Sequence, residues 1–268
     1  MKKSSLTLFT FLIVSVQVFS QVPSNIPIDG LVGYWGFNGN ANDQSGSNNN
    51  GTPSNVTLTT DRFGNANSAY QFNGLNSRID INNAFFNIAW NAFTISCWTY
   101  STNLQNSNNV NDSHIVINTS PHNGIAMALY GQNNPFSNAF DNKYVFLAGS
   151  QPNVRNWNIV YLNGNSNSSR TINKWNHLLL IKVGNLYKFY INGVLDKTVS
   201  GNTIPNSSLC KIVIGALAAD IPAEVFLGKL DDYGIWNRAL TQSEITKLTT
   251  INCNVCIPFE IMKIKSSN

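Results

Sequence analysis

The side chains best placed to do chemistry are two adjacent carboxylates, Asp231 and Asp232, inside the strand-like run "GKLDDYGIW". Paired carboxylates suit two kinds of work. They can cleave a glycosidic bond, one acting as nucleophile or base and the other as acid, or they can hold a hard cation such as Ca2+ through oxygen. Consecutive residues of a regular strand point to opposite faces, so at most one of this pair faces a given sheet surface. The sequence holds only three Glu to act as alternatives, Glu224, Glu244 and Glu260. Glu244 stands at a helix-capping position, Glu260 lies in the tail, and nothing acidic lies two residues either side of Glu224. His114, His122 and His177 stand in no Gly-x-Ser-x-Gly or His-Glu-x-x-His context. His177, beside Trp175 in "KWNHLLL", reads as a packed strand histidine. No catalytic residue is expected.

The elements that must position Asp231 and Asp232 are strands. Period-two alternation bounded by Gly and Asn recurs from about Leu31 onward, and no long helical pattern competes with it. "LVGYWGF", "AYQFNG", "SRIDI", "FTISCWTY", "SHIVI", "KYVFLAG", "WNIVYL" and "KIVIGA" all read as strands. In "NHLLLIKVGNLYKFYINGVLDKTV", Gly184-Asn185 and Asn192-Gly193 each separate β-rich runs and suit two-residue hairpin turns, which predicts a three-strand meander. One helix start is visible: Thr241 as N-cap, Glu244 completing a capping box, and Leu240 with Ile245 as a hydrophobic staple. Ile245 and Leu248 give this short helix an apolar edge. The Asn-rich stretches Asn38 to Asn55 and Thr102 to Ser113 read as loops, either binding surface or solvated connections.

Composition bounds the rest. Lys+Arg at 17 against Asp+Glu at 13, with no basic run, offers nothing to nucleic acid, and 43% hydrophobic residues suffice for one large core. Residues 1–20 read as a signal peptide: Lys2 and Lys3, an apolar stretch from Leu6 to Phe19 too short to span a bilayer, then small residues before Gln21. The expected organisation is signal peptide 1–20, leader 21–29, one β-sandwich domain 30–250 and a tail 251–268. The expected location is secreted, extracellular or cell-surface, with no membrane insertion once the signal is removed. Cys97, Cys210, Cys253 and Cys256 allow three disulfide pairings or buried free sulfur, and the lone C-x-x-C lacks the second pair that zinc requires. Five Asn-x-Ser/Thr sequons, at Asn55, Asn111, Asn118, Asn167 and Asn206, admit glycosylation but arise easily in so Asn-rich a chain.

Taken in order, "LVGYWGFNGNANDQSG", "DRFGNANSAYQFNG", "FTISCWTY", "KFYINGVL", "KIVIGA" and "GKLDDYGIWNRALTQSEI" resemble the successive motifs of LamG-like jelly-roll domains in the concanavalin A-like lectin/glucanase superfamily. The resemblance runs from about Gly30 to Leu248. It implies an all-β, two-sheet antiparallel jelly-roll sandwich with one short C-terminal helix. Departures are Cys97 where a small residue such as Ala is usual, and Thr99 where an apolar one is commoner. Cys97 then reads as a small buried side chain.

That superfamily holds both lectins and glycoside hydrolases, so the site must decide function. The Glu-x-Asp-x-Glu motif of its laminarinase-type enzymes is absent, which leaves glycoside hydrolysis the only enzyme class worth testing. Related folds often tie the first and last strands through one ion. This implies a structural Ca2+ held by Asp43 and one of Asp231 or Asp232, with Asn38 or neighbouring carbonyls assisting. The alternative is that Asp43 makes an Asx-turn while Asp231 or Asp232 pairs with Arg238 or caps a loop. Trp90, Trp157 and Tyr161, with Phe136 and Phe140, are candidates to stack on sugar faces, or else pack in the interior. Trp35, Trp98 and Trp236 are assigned to the core. The expected partner is a glycan or an extracellular protein. A groove with one or two aromatics among Asn and Asp would favour the glycan, and a large exposed apolar patch the protein.

Overall fold

The structure, a computed structural model, describes residues 22–81, 91–102, 113–120, 123–129, 142–150, 162–201, 211–218 and 221–250. Two antiparallel sheets dominate these residues. The first orders β13 (Val194–Ser200), β12 (Leu186–Ile191), β11 (Trp175–Val183), β6 (Ala92–Ser101), β17 (Leu227–Trp236), β4 (Ala69–Asn73) and β3 (Thr57–Thr59), with β1 (Leu31–Trp35) paired to β17 beside β4. The second orders β10 (Leu162–Ser169), β9 (Lys143–Ser150), β8 (Asn123–Leu129), β7 (Ser113–Ser120), β14 (Lys211–Ile214), β5 (Arg78–Ile81) and β2 (Gly51–Ser54). A two-stranded ribbon, β15 (Ala216–Ala218) and β16 (Ile221–Val225), stands apart. This is the expected all-β jelly-roll sandwich with its single short helix, α1 (Gln242–Thr249).

Alternation decides which residues meet between the sheets. Phe93, Ile95 and Cys97 of β6, Leu178 and Leu180 of β11, and Leu230, Tyr233 and Ile235 of β17 face Ile79, Ile81, Met127, Phe146, Ile212 and Ile214 of the second sheet, all fully buried. Each such aliphatic or aromatic side chain contributes about 1.5–3 kcal/mol on leaving water. The meander forms as expected: Gly184 adopts φ 53°, and Asn192 and Gly193 adopt φ 50° and 80°, conformations that let the strands reverse without splaying. Gly33 and Gly234 have another purpose. A Cβ on either would stand 2.4 or 2.5 Å from the indole of the tryptophan two residues on, so both positions must stay bare for Trp35 and Trp236 to lie flat along their strands.

The outer face of the first sheet is also covered. Ile26 from the leader, Tyr34, Leu179, Ile181, Tyr190, Trp236, and Leu240, Ile245 and Leu248 around α1 form a second apolar cluster there. An eight-residue helix is too short to be stable alone. Here Thr241 and Glu244 complete the capping box, and Arg238 clamps Glu244 with bonds of 2.9 and 2.6 Å. The leader is tied down as well, since Trp236 Nε1 donates to Pro27 O at 2.7 Å and Arg238 Nε to Asp29 O at 2.9 Å. The assignment of Trp98 to the core is corrected: it points outward, half-buried and outside both clusters, because its neighbours Cys97 and Thr99 take the inner face.

Candidate functional site

β17 changes partner halfway along one edge. Leu227 to Leu230 pair with β4, whereas Tyr233 to Trp236 pair with β1, and Asp231 and Asp232 fall in the interval. On the other edge, Asp231 faces Trp98 and Gly234 faces Ser96, so three steps on β17 match two on β6. That mismatch is a β-bulge of one extra residue. Asp232 absorbs it at φ 46°, in the left-handed region that Asp tolerates better than most side chains. Leu230 and Tyr233 both stay on the inner face, leaving the two aspartates side by side on the outer one. The expectation that they point to opposite faces is therefore corrected, because it assumes a regular strand.

Both carboxylates meet one guanidinium. Arg62, on the loop between β3 and β4, donates from Nη1 to Asp231 Oδ2 at 2.7 Å and from Nη2 to Asp232 Oδ2 at 2.5 Å. The remaining oxygens are also occupied: Asp231 Oδ1 accepts from the Asp232 backbone N–H at 2.8 Å, and Asp232 Oδ1 accepts from the Tyr34 hydroxyl. Arg62 also packs against two rings, 4.3 Å from the Phe63 centroid and 4.6 Å from that of Trp98. Arg238, the anticipated partner, instead engages Glu244 and Asp29, whose positions beside α1 and in the leader bring them within reach.

With two carboxylates and one guanidinium, charge is not balanced. Asp231, its side chain 3% exposed, is driven above the usual carboxylate range by burial first and by the Asp232 charge second, while Arg62 pulls the other way. Tyr34 is likewise raised by burial and by Asp232. Beyond Trp98, at ring centroids 5.2 Å apart, lies His177, whose Nε2 shares a 2.7 Å hydrogen bond with Ser96 Oγ and whose Nδ1 has no partner among the described residues. Burial, helped by Arg62, lowers its pKa to about 3, so it is neutral.

This cluster floors an open cleft of about 390 Å³. Asp61, Phe63, Asn65 and Ser68 of the Arg62 loop form one wall. Gly36 and Asn38 follow β1, and Pro23, Ser24, Asn25 and Thr250 come from the two ends of the described chain. Phe63 is 50% exposed, the single aromatic at the mouth among the described residues. Asp61 braces its loop, accepting from Phe63 N and Asn65 N at 2.8 Å each.

Three of the anticipated metal-site residues, Asn38, Asp231 and Asp232, thus line one cleft, and the fourth stands apart from it. Asp43 makes an Asx-turn with Ser45 and also accepts from Tyr34 N and Asn49 N, shaping the loop after β1. As folded, these donors do not fit Ca2+, which needs six or more converging oxygens. The carboxylate oxygens already accept from N–H or O–H groups, and Arg62 bonds both aspartates. Among the described residues, no three His, Cys, Asp or Glu side chains gather to hold a metal.

Trp90, Trp157, Tyr161, Phe136 and Phe140 lie outside the described residues, as do His122, Cys210, Cys253, Cys256 and most of "WNIVYL". Cys97 is free and fully buried. Arg62 and Phe63 were missed by the sequence reading. They sit in a Gly/Asn-rich loop like many others, and only an isolated Arg-aromatic pair there marks them.

A laminin-G-type family model, described as concanavalin A-like lectin/glucanases superfamily, matches residues 72–246, and the chain belongs to that family. Among solved structures, domain 4 of AbnA, an extracellular arabinanase from Geobacillus stearothermophilus in complex with arabinotriose, is similar at TM-score 0.62 and 20% identity, covering 82% of this chain and 98% of that one. The binding domain of Paraclostridial Mosquitocidal Protein 1 is similar at TM-score 0.61 and 20% identity, over 83% of this chain and 52% of that one. The binding domain of botulinum neurotoxin DC, in complex with rat synaptotagmin II, gives TM-score 0.59 and 18% identity over 83% and 52%. The chain therefore spans about half the length of the toxin domains that it matches. At these identities the likeness is one of fold. A search of curated proteins returned no match.

Proposed function

We propose that the protein is a noncatalytic carbohydrate-binding module working outside the cell, and that the cleft floored by Arg62, Asp231 and Asp232 is its glycan site. The observation that carries this reading is the half-exposed Phe63 ring at the mouth of an open cleft otherwise lined by amides, hydroxyls and charges. Sugars bind by laying an apolar ring face on an aromatic while polar groups take their hydroxyls. Asn25, Asn38, Asn65, Ser24 and Ser68 are in place for the second task. Membership of a lectin/glucanase superfamily and the arabinotriose-bound neighbour support the same class of ligand.

Hydrolysis is disfavoured by the geometry of the one carboxylate pair. Asp231 is buried, and both aspartates spend their Oδ2 atoms on Arg62, so neither is free to protonate a leaving oxygen or attack a sugar carbon. Export through residues 1–20 belongs to the same proposal. Among the described residues no helix is long and apolar enough to cross a membrane.

The test is a glycan array probed with the mature chain, with and without calcium, and with its Phe63→Ala variant. Saturable binding that the variant loses, with no reducing sugar released from the bound glycan, is the expected result. A blank array on folded protein would shift the reading to a protein partner, and sugar release would revive hydrolysis.

A further inference from the structure

We infer that the cleft selects uncharged glycans and turns away uronates, sialosides and sulfated sugars; this rests on the glycan-binding reading above. Among the described residues lining the cleft, Arg62 is the one basic side chain, against Asp61, Asp231 and Asp232. A guanidinium recognises a sugar carboxylate through free N–H groups, ideally two at once. Here both terminal nitrogens already donate to aspartates, at 2.7 and 2.5 Å, and the Phe63 and Trp98 rings stand against the guanidinium at 4.3 and 4.6 Å. The one basic side chain among the described lining residues thus has one N–H of each terminal nitrogen, and the charge behind them, already committed to an internal aspartate.

The surplus charge acts in the same direction. Even with a proton held on Asp231, Asp61 and Asp232 outnumber Arg62 among the described lining residues, so that lining is negative. Lys229, farther along the outer face of β17, is turned to Thr60 Oγ1 at 3.2 Å and over the Tyr100 ring, and does not line the cleft. A neutral sugar meets Phe63 and the amides without penalty. An anionic one meets carboxylates, and among the described lining residues the one counter-charge, Arg62, is already shared between two aspartates, so its desolvation is poorly offset.

The experiment is an array carrying neutral oligosaccharide cores beside the sialylated, sulfated and uronate derivatives of the same cores. Wild-type protein is expected to bind neutral cores at least about tenfold more tightly than their derivatives, the scale of one added repulsion at close range. Phe63→Ala should abolish the signal, which places it in the cleft. Asp232→Asn, which removes one charge and loosens the hold on Arg62, should narrow the ratio several-fold. Derivatives bound as well as their parent cores, with the signal still lost in Phe63→Ala, would overturn the charge selection and leave glycan binding standing. An unchanged ratio in Asp232→Asn would overturn its electrostatic cause. A blank array would remove glycan binding itself, and the selectivity with it.

Discussion

Arg62 is the side chain on which most depends. Truncating one partner of a buried ion pair strands the other's charge, a loss of about 3–5 kcal/mol. Arg62 is 12% exposed and serves two carboxylates that are 3% and 16% exposed, so Arg62→Ala should lower the urea-unfolding free energy by about 3 kcal/mol or more. A loss below about 1 kcal/mol would mean that the network behaves as a surface pair. The same cluster sets a pH signature. His177, at a pKa of about 3, refuses a proton that the unfolded chain accepts, so its contribution is complete above the unfolded value near 6.5 and is lost as pH falls toward 3. Asp231 has the opposite sign: raised in the fold, it keeps a proton that the unfolded chain releases, and stability falls as pH rises above the ordinary carboxylate value. Between about pH 4 and 6.5 the two oppose each other. Urea midpoints over that window should therefore climb with pH in Asp231→Asn, by at most about 1.4 kcal/mol per unit, and decline with pH in His177→Gln. Parallel curves for both variants would refute the assignment. Nothing in the sequence around Asp231 names Arg62, because they are separated by 169 positions and only the paired strands bring them together.

At the scale of elements, the bulge and the capped helix contrast in how they are encoded. The α1 signal is local: Thr241 and Glu244 stand three apart and satisfy each other's backbone, and the structure shows both bonds. Thr241→Ala should cost about 1 kcal/mol by loss of the cap, read from the shift in urea midpoint at constant slope. The bulge is not local in this sense. Its signature is a register mismatch between β17 and β6, and no residue type announces it, since Asp occurs in regular strands and turns alike. The three-strand meander, by contrast, was legible in full. Its turns need positive φ at Gly184, Asn192 and Gly193, and those residue types supply it.

For the whole molecule, the first sheet is covered on both faces, by the second sheet inside and by the leader and α1 outside. The cleft opens where that outer covering ends, which is why Pro23 and Thr250, from opposite ends of the described chain, line one site. The occupation of both aspartates by Arg62 carries a further prediction. The melting temperature of the protein should be unchanged by chelation or by added calcium. A fall of several degrees on chelation would restore the calcium expectation for Asn38, Asp43, Asp231 and Asp232. What the sequence determined by itself is what short-range physics encodes: alternation that makes strands, Gly and Asn that reverse them, and a capping box; the jelly roll was implied by the resemblance of its motif order to LamG-like domains. The facing of Asp231 and Asp232, their union with Arg62, the outward turn of Trp98 and the cleft itself were decided by tertiary structure. Each depends on which strands become neighbours and in what register, and that follows from burying the whole apolar set at once rather than from any residue's own neighbourhood.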